Sequence, residues 1–85
     1  MIVSTSFSIE GRNIKEYLGI VSAAHIMVMP GGNKGVQRGW QTGIENTTEI
    51  LKQKAAELGA DAIIAARFEP FGSNLCATGT AVKLD

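Results

Sequence analysis

The stretch "AAELGADAII", residues 55–64, ends a helical pattern and starts a strand with no linker between them. Gly59 tolerates the left-handed backbone of a helix C-cap, which fixes the helix end there. The strand that follows, Asp61 to Phe71, is apolar on both sides. Ala62, Ile64, Ala66 and Phe68 point one way, and Ile63 and Ala65 the other. A single helix covers one face of a sheet. The second face therefore needs its own cover, either edge residues and loops folded over it or copies of the same chain.

Upstream of that strand lies the clearest period in the chain. Trp40, Ile44, Thr47, Leu51, Ala55 and Leu58 step by four or three residues, one stripe of an amphipathic helix. "TGIE" offers a capping box with Thr42 as cap and Glu45 reaching back, and Asn46 to Glu49 is a competing start. Gly43 near that start weakens the helix. "PGGNKGVQRG", Pro30 to Gly39, holds four glycines and a proline and reads as a loop. Before it, Met1 to Ile9 alternates Val3, Thr5, Phe7 and Ile9 with serines, the period of a half-buried strand. Glu10 to Asn13 is a turn. Ile14 to Met29 is extended chain, in which Leu18 and Ile20 face opposite to Tyr17 and Val21. Gly19 or Ala23-Ala24 is the expected place of a bulge. After the helix come Asp61 to Phe71, the turn "EPFGSN" and a last strand, Leu75 to Leu84. The order is β-β-α-β-β, an α+β domain with one helix packed on one face of a small sheet.

Size sharpens the question of the second face. At 85 residues the chain is a single domain spanning 1–85, and a domain this small buries only roughly 60% of its unfolded surface. Small domains gain stability from disulfides, metals or oligomerisation. Cys76 is the only cysteine, so no internal disulfide forms. Its lone thiol and the absence of a basic-then-apolar leader fit a reducing cytoplasm. Eight basic and eight acidic residues give a formal net charge of zero. That balance, with no basic run, argues against nucleic acid as a partner, and no segment approaches the ~20 apolar residues of a membrane span. Oligomerisation remains.

Three blocks carry a family resemblance: "IEGRNIKEYLGIV" (residues 9–21), "AAELGADAIIAARF" (55–68) and "GTAVKL" (79–84). With them the chain resembles the YbjQ-like family, small bacterial and archaeal proteins that are mostly uncharacterised and labelled heavy-metal-binding. The resemblance implies a dodecin-like subunit whose sheets join across subunits into a barrel-like ring, typically a pentamer. It also implies a longer, glycine- and arginine-rich stretch in the middle, which Gly35 to Gly43 replaces here.

A heavy metal is the cofactor that label suggests. Zinc sites need about three or four soft ligands, and one chain supplies His25 and Cys76 alone. Any such site is intersubunit, with Glu16 or Asp61 as supplementary oxygen ligands; a structural histidine and a small buried thiol is the plainer reading. Nucleophilic catalysis at Cys76 or a serine near His25 lacks a carboxylate selected by spacing from Glu10, Glu16, Asp61 and Glu69. No catalytic residue is assigned. The glycine-rich loop fails both the P-loop and GxGxxG patterns, although Lys34 and Arg38 beside a helix start could hold an anion. Glu16 with Tyr17, and Arg67 with Glu69, are polar pairs suited to a subunit interface or pocket. The leading expectation is a homo-oligomeric binding or structural module. The alternative is an enzyme with its site at a subunit interface, where Glu16, Tyr17 and Arg67 converge.

Overall fold

The structure, a computed structural model, describes residues 1–26, 33–72 and 74–85, with the backbone alone for 33–38. Five elements follow in order: β1 (Ile2–Val3), β2 (Ile14–Ile26), α1 (Asn33–Glu57), β3 (Ala62–Phe71) and β4 (Asn74–Leu84). The β-β-α-β-β order is the expected one. The sheet runs β1-β3-β4-β2, with β4 antiparallel to both β2 and β3, and β1 parallel to β3.

The first strand is much shorter than its alternating pattern. Regular pairing ends at Val3, and residues 5–8 are bends. The chain still follows β3, because Ser4 N–H donates to the Ile63 carbonyl, and Ser4 and Ser6 carbonyls accept from Ala66 and Ala65 N–H. Residues 27–29 of the expected second strand and Pro30–Gly32 of the expected loop lie outside the described residues. From Asn33 onward the expected loop is already helix. Thr42 and Asn46 are therefore interior helical positions, not caps.

The buried line of α1 also differs from the expected stripe. Gly39, Gly43, Thr47, Leu51 and Ala55 are buried, whereas Ile44 is 38% and Leu58 46% exposed. These five positions step by four, so α1 meets the sheet along one i, i+4 ridge. Gly43 explains the displacement. A Cβ there would lie 2.9 Å from Leu75 Cδ2 and 3.3 Å from His25 Cδ2. Its bare backbone lets the helix approach Leu75 where Ile44 could not. Thr47, buried on the same line, returns its hydroxyl to the Gly43 carbonyl at 2.7 Å, leaving no unpaired polar atom. The helix ends in a Schellman motif. Ala60 N–H donates to the Ala55 carbonyl and Gly59 N–H to that of Ala56, with Gly59 at φ +78°.

Bulges settle how the sheet divides its apolar residues. On β3 the register with β4 shifts between Ile64 and Arg67, and Ala65 adopts φ +53°. This extra residue reverses the alternation. Ile63, Ala66 and Phe68 pack under the helix with Val21, Leu51 and Ala77, while Ala62 and Ile64 pack on the opposite face with Val82 and Leu84. The single-face set expected from Ala62 to Phe68 is thus split. On β2, shifts between Ile14 and Glu16 and between Tyr17 and Gly19 act likewise. Gly19 is a bulge position as expected, Ala23-Ala24 pairs regularly, and Leu18 joins Val21 on the helix side.

The second face is covered over one half only. Ile9 packs on the Ala62–Leu84 cluster, held by a turn in which Arg12 N–H donates to the Ile9 carbonyl and Gly11 takes φ +75°. Arg12 clamps that turn through its guanidinium, which donates to the Asp85 backbone oxygen at 2.9 and 3.1 Å. Over the other half nothing described covers the sheet. There Ile20 is 80%, Ile26 70% and Phe71 78% exposed.

Candidate functional site

His25 stands on the helix side of β2 near its end, half-buried against Gly43. The Asn46 side-chain amide is its polar partner, Nδ2 to Nδ1 at 3.4 Å. An amide nitrogen there donates to Nδ1 and leaves the proton of the neutral ring on Nε2. The reversed amide would accept from Nδ1–H and free the Nε2 lone pair for a metal. The sequence offered no reason to pair Asn46 with His25, because the link runs between helix and sheet.

Cys76 does not join His25. His25 is opposite Leu75 and Ala24 is opposite Cys76, so adjacent rows place the two soft ligands on opposite faces. One ion cannot take both from one chain. Among the described residues no three His, Cys, Asp or Glu side chains gather around a common point. Asp61, one of the suggested oxygen donors, already accepts from Leu84 N–H through Oδ2 at 3.0 Å.

The two polar pairs also stay apart. Glu16 and Tyr17 lie opposite Lys83 and Val82, between the two bulges of β2, and both are exposed. Arg67 lies opposite Thr78, four residues away along β4, or roughly 13 Å at strand rise. Within one chain they do not converge. Arg67 and Glu69 do share a side of β3, with Nε and Oε1 4.0 Å apart. That ion pair is solvent-exposed and adds little stability.

Arg67 and Glu69 border a hollow of about 590 Å³ at the outer edge of β3, closed on its other side by Thr5 and Phe7. Its floor is the strained Ala65 and its neighbour Ala66. Phe7 is 83% exposed, a large aromatic left in water by its own chain. A second hollow of about 540 Å³ lies among residues 2–10. The sequence signal for this region was Phe7 set between serines; the bulge that shapes its floor has none, since Ala65-Ala66 is an ordinary strand dipeptide.

A family model described as "Putative heavy-metal-binding" matches residues 27–85. The chain belongs to the YbjQ-like family. A UPF0145 protein of Pseudomonas fluorescens (strain Pf0-1) is 35% identical over 105 aligned residues, covering 99% of each chain. Another, from Anoxybacillus flavithermus (strain DSM 21510 / WK1), is 38% identical over 103, covering 99% of this chain and 98% of its own. Both alignments are longer than the 85 residues here, so these YbjQ-like relatives carry residues that this chain lacks. The fold resembles a crystal structure of a protein of unknown function from Pediococcus pentosaceus ATCC 25745, of the DUF74 family. The TM-score is 0.71 at 21% identity, covering 100% of this chain and 98% of that one. Among the described residues no helix is long and apolar enough to cross a membrane.

Proposed function

We propose that this YbjQ-like chain is one subunit of a symmetric homo-oligomer, a ring of five on the family resemblance, which binds a heavy metal or small ligand between subunits. The observation that carries the reading is the uncovered half of the second face. Ile20, Ile26 and Phe71 stand exposed together with Ala24, and a sheet surface of that kind is an association surface. Closing sheets around an axis would cover it and remove the free edges.

Metal would then be held by symmetry. His25 of several copies, each oriented by Asn46, supplies nitrogen ligands, or Cys76 of several copies supplies thiolates; the two sets form separate sites because they face opposite ways. A reduced Cys76 accords with a cytoplasmic setting. The small-ligand form of the reading uses the hollow beside Arg67 and Glu69, completed by a neighbour.

Native mass spectrometry of the purified protein tests the assembly. A stable monomer of 9.0 kDa at micromolar concentration defeats it. Zinc and copper titrations into wild type, His25→Ala and Cys76→Ser test the metal. Binding is expected to be substoichiometric to subunits and lost in one variant. Identical isotherms for all three remove metal from the reading.

A further inference from the structure

We propose that the hollow beside Arg67 and Glu69 binds a free α-amino acid with a large apolar side chain. The inference rests on the small-ligand form of the reading above and names the ligand class.

The floor of the hollow is the β3 bulge. Ala65 and Ala66 have already committed their N–H groups to the Ser6 and Ser4 carbonyls, at 2.8 and 2.9 Å. Neither has a backbone donor to spare, so polar recognition falls to the side chains of the walls. Ala65 also holds φ +53°, a conformation costly for a residue with a Cβ. Residues kept in such strain cluster at ligand clamps.

Arg67 and Glu69 form one wall, with Nε and Oε1 4.0 Å apart. At that separation the pair is loose and solvated, and each partner keeps most of its hydrogen-bonding capacity. A guanidinium has about five N–H donors and a carboxylate about four lone-pair sites. The pair selects its ligand by charge. A simple anion brought to Arg67 meets the Glu69 carboxylate at once, and a simple cation brought to Glu69 meets the guanidinium. A head group that carries both charges side by side satisfies both partners and leaves the local charge balanced. The α-ammonium and α-carboxylate of a free amino acid are such a head group. Within a peptide chain both groups are lost to amide bonds.

The opposite wall is Phe7, 83% exposed, with Thr5 beside it. A ring left in water is stabilised by any apolar surface laid against it. With its head group at Arg67 and Glu69, the amino acid extends its side chain toward Phe7, and the Thr5 hydroxyl can donate or accept at the seam. Glycine would leave Phe7 uncovered. The volume of about 590 Å³ lies within the range of about 300–1,000 Å³ common to small-molecule sites.

NMR titration of the isotope-labelled full chain tests the proposal, with L-phenylalanine and L-leucine as probes. Both are expected to give saturable shifts at the Ala65, Ala66 and Arg67 amides, with Kd on the order of 1 mM. Phenethylamine and phenylpropionate, each lacking one charge, and glycine should bind about threefold or more weakly, the scale of an exposed charge pair. Arg67→Gln, Glu69→Gln and Phe7→Ser should reproduce the loss for L-phenylalanine with an unchanged circular dichroism spectrum. A singly charged analogue that binds as well as L-phenylalanine, or the absence of saturable shifts at the bulge, overturns the inference. Native mass spectrometry of the same samples separates it from the assembly. An oligomer that ignores both amino acids leaves the assembly standing and defeats the inference, whereas a monomer that binds them at the bulge does the reverse.

Discussion

Gly79 lies buried on the inner strand β4, and its substitution by alanine measures how tightly the sheet is packed at the bulge. A Cβ at Gly79 would sit 2.5 Å from Ile63 Cγ2, 3.5 Å from the Ile64 carbonyl oxygen and 3.7 Å from Ala66 Cα. Carbon pairs are comfortable at about 3.5–4.0 Å, so the first contact demands a shift of about 1 Å. Ile63 is fully buried, and its branched methyl moves only if χ1 leaves its preferred well. The other two atoms are backbone of the bulge and have no rotamer to change. Overpacking of this kind costs about 1–3 kcal/mol, while replacing a strand glycine by alanine offsets about 0.5–1 kcal/mol. The net is a loss centred near about 1 kcal/mol and reaching about 2.5 kcal/mol, and each kcal/mol lowers Tm by about 4–8 °C in a domain of this size. Thermal melts followed by circular dichroism read it, at one fixed protein concentration because association moves Tm. Ile63→Leu deletes the offending methyl at nearly constant volume. The double variant should therefore recover part of the loss, with a coupling of about 0.5–3 kcal/mol. Gly79→Ala melting at or above wild type, or strict additivity with Ile63→Leu, refutes the packing argument.

Three further substitutions probe the elements around it. Leu51→Ala, at a fully buried helix position, should cost about 2–5 kcal/mol in urea unfolding; an unmoved midpoint would mean the helix docks by another face. Gly59→Ala forces a side chain onto φ +78° and should cost about 1–2 kcal/mol, read as a lowered Tm with the helical signal retained. Ala65→Gly should act oppositely. Relief at φ +53° is worth about 1–2 kcal/mol against about 0.5–1 kcal/mol of added chain entropy, so Tm rises slightly, and a fall refutes the assignment of strain.

The sequence made the element order, the helix C-cap at Gly59 and the bulge at Gly19 legible, because each has a local cause: a hydrophobic period or a glycine where the backbone needs one. It hid what depends on distant contacts. The helix begins at Asn33 despite its glycines, because those on the buried ridge admit the sheet. Gly43 reads as a helix weakener until Leu75 is seen against it. The first strand alternates as a strand should, yet only Ile2–Val3 pairs regularly, since a strand needs a partner along its whole length. For the site, the scarcity of soft ligands was visible, and so was the side that Arg67 and Glu69 share. That His25 and Cys76 face opposite ways follows from the β2–β4 register, which spacing along the chain does not encode.

The bulge at Ala65 makes β3 sensitive to its length as well as to its residues. Past it, Ala66 and Phe68 turn under the helix while Arg67, Glu69 and Phe71 turn outward. Deleting either Ala65 or Ala66 would leave every remaining side chain chemically unchanged, yet alternation would carry the Arg67 guanidinium beneath α1 and expel Phe68 into water. Substitution among small residues at this spot keeps that alternation, whereas a codon gained or lost reverses it for the rest of β3. In related sequences, insertions and deletions should fall on either side of the Ile64–Arg67 step and not within it.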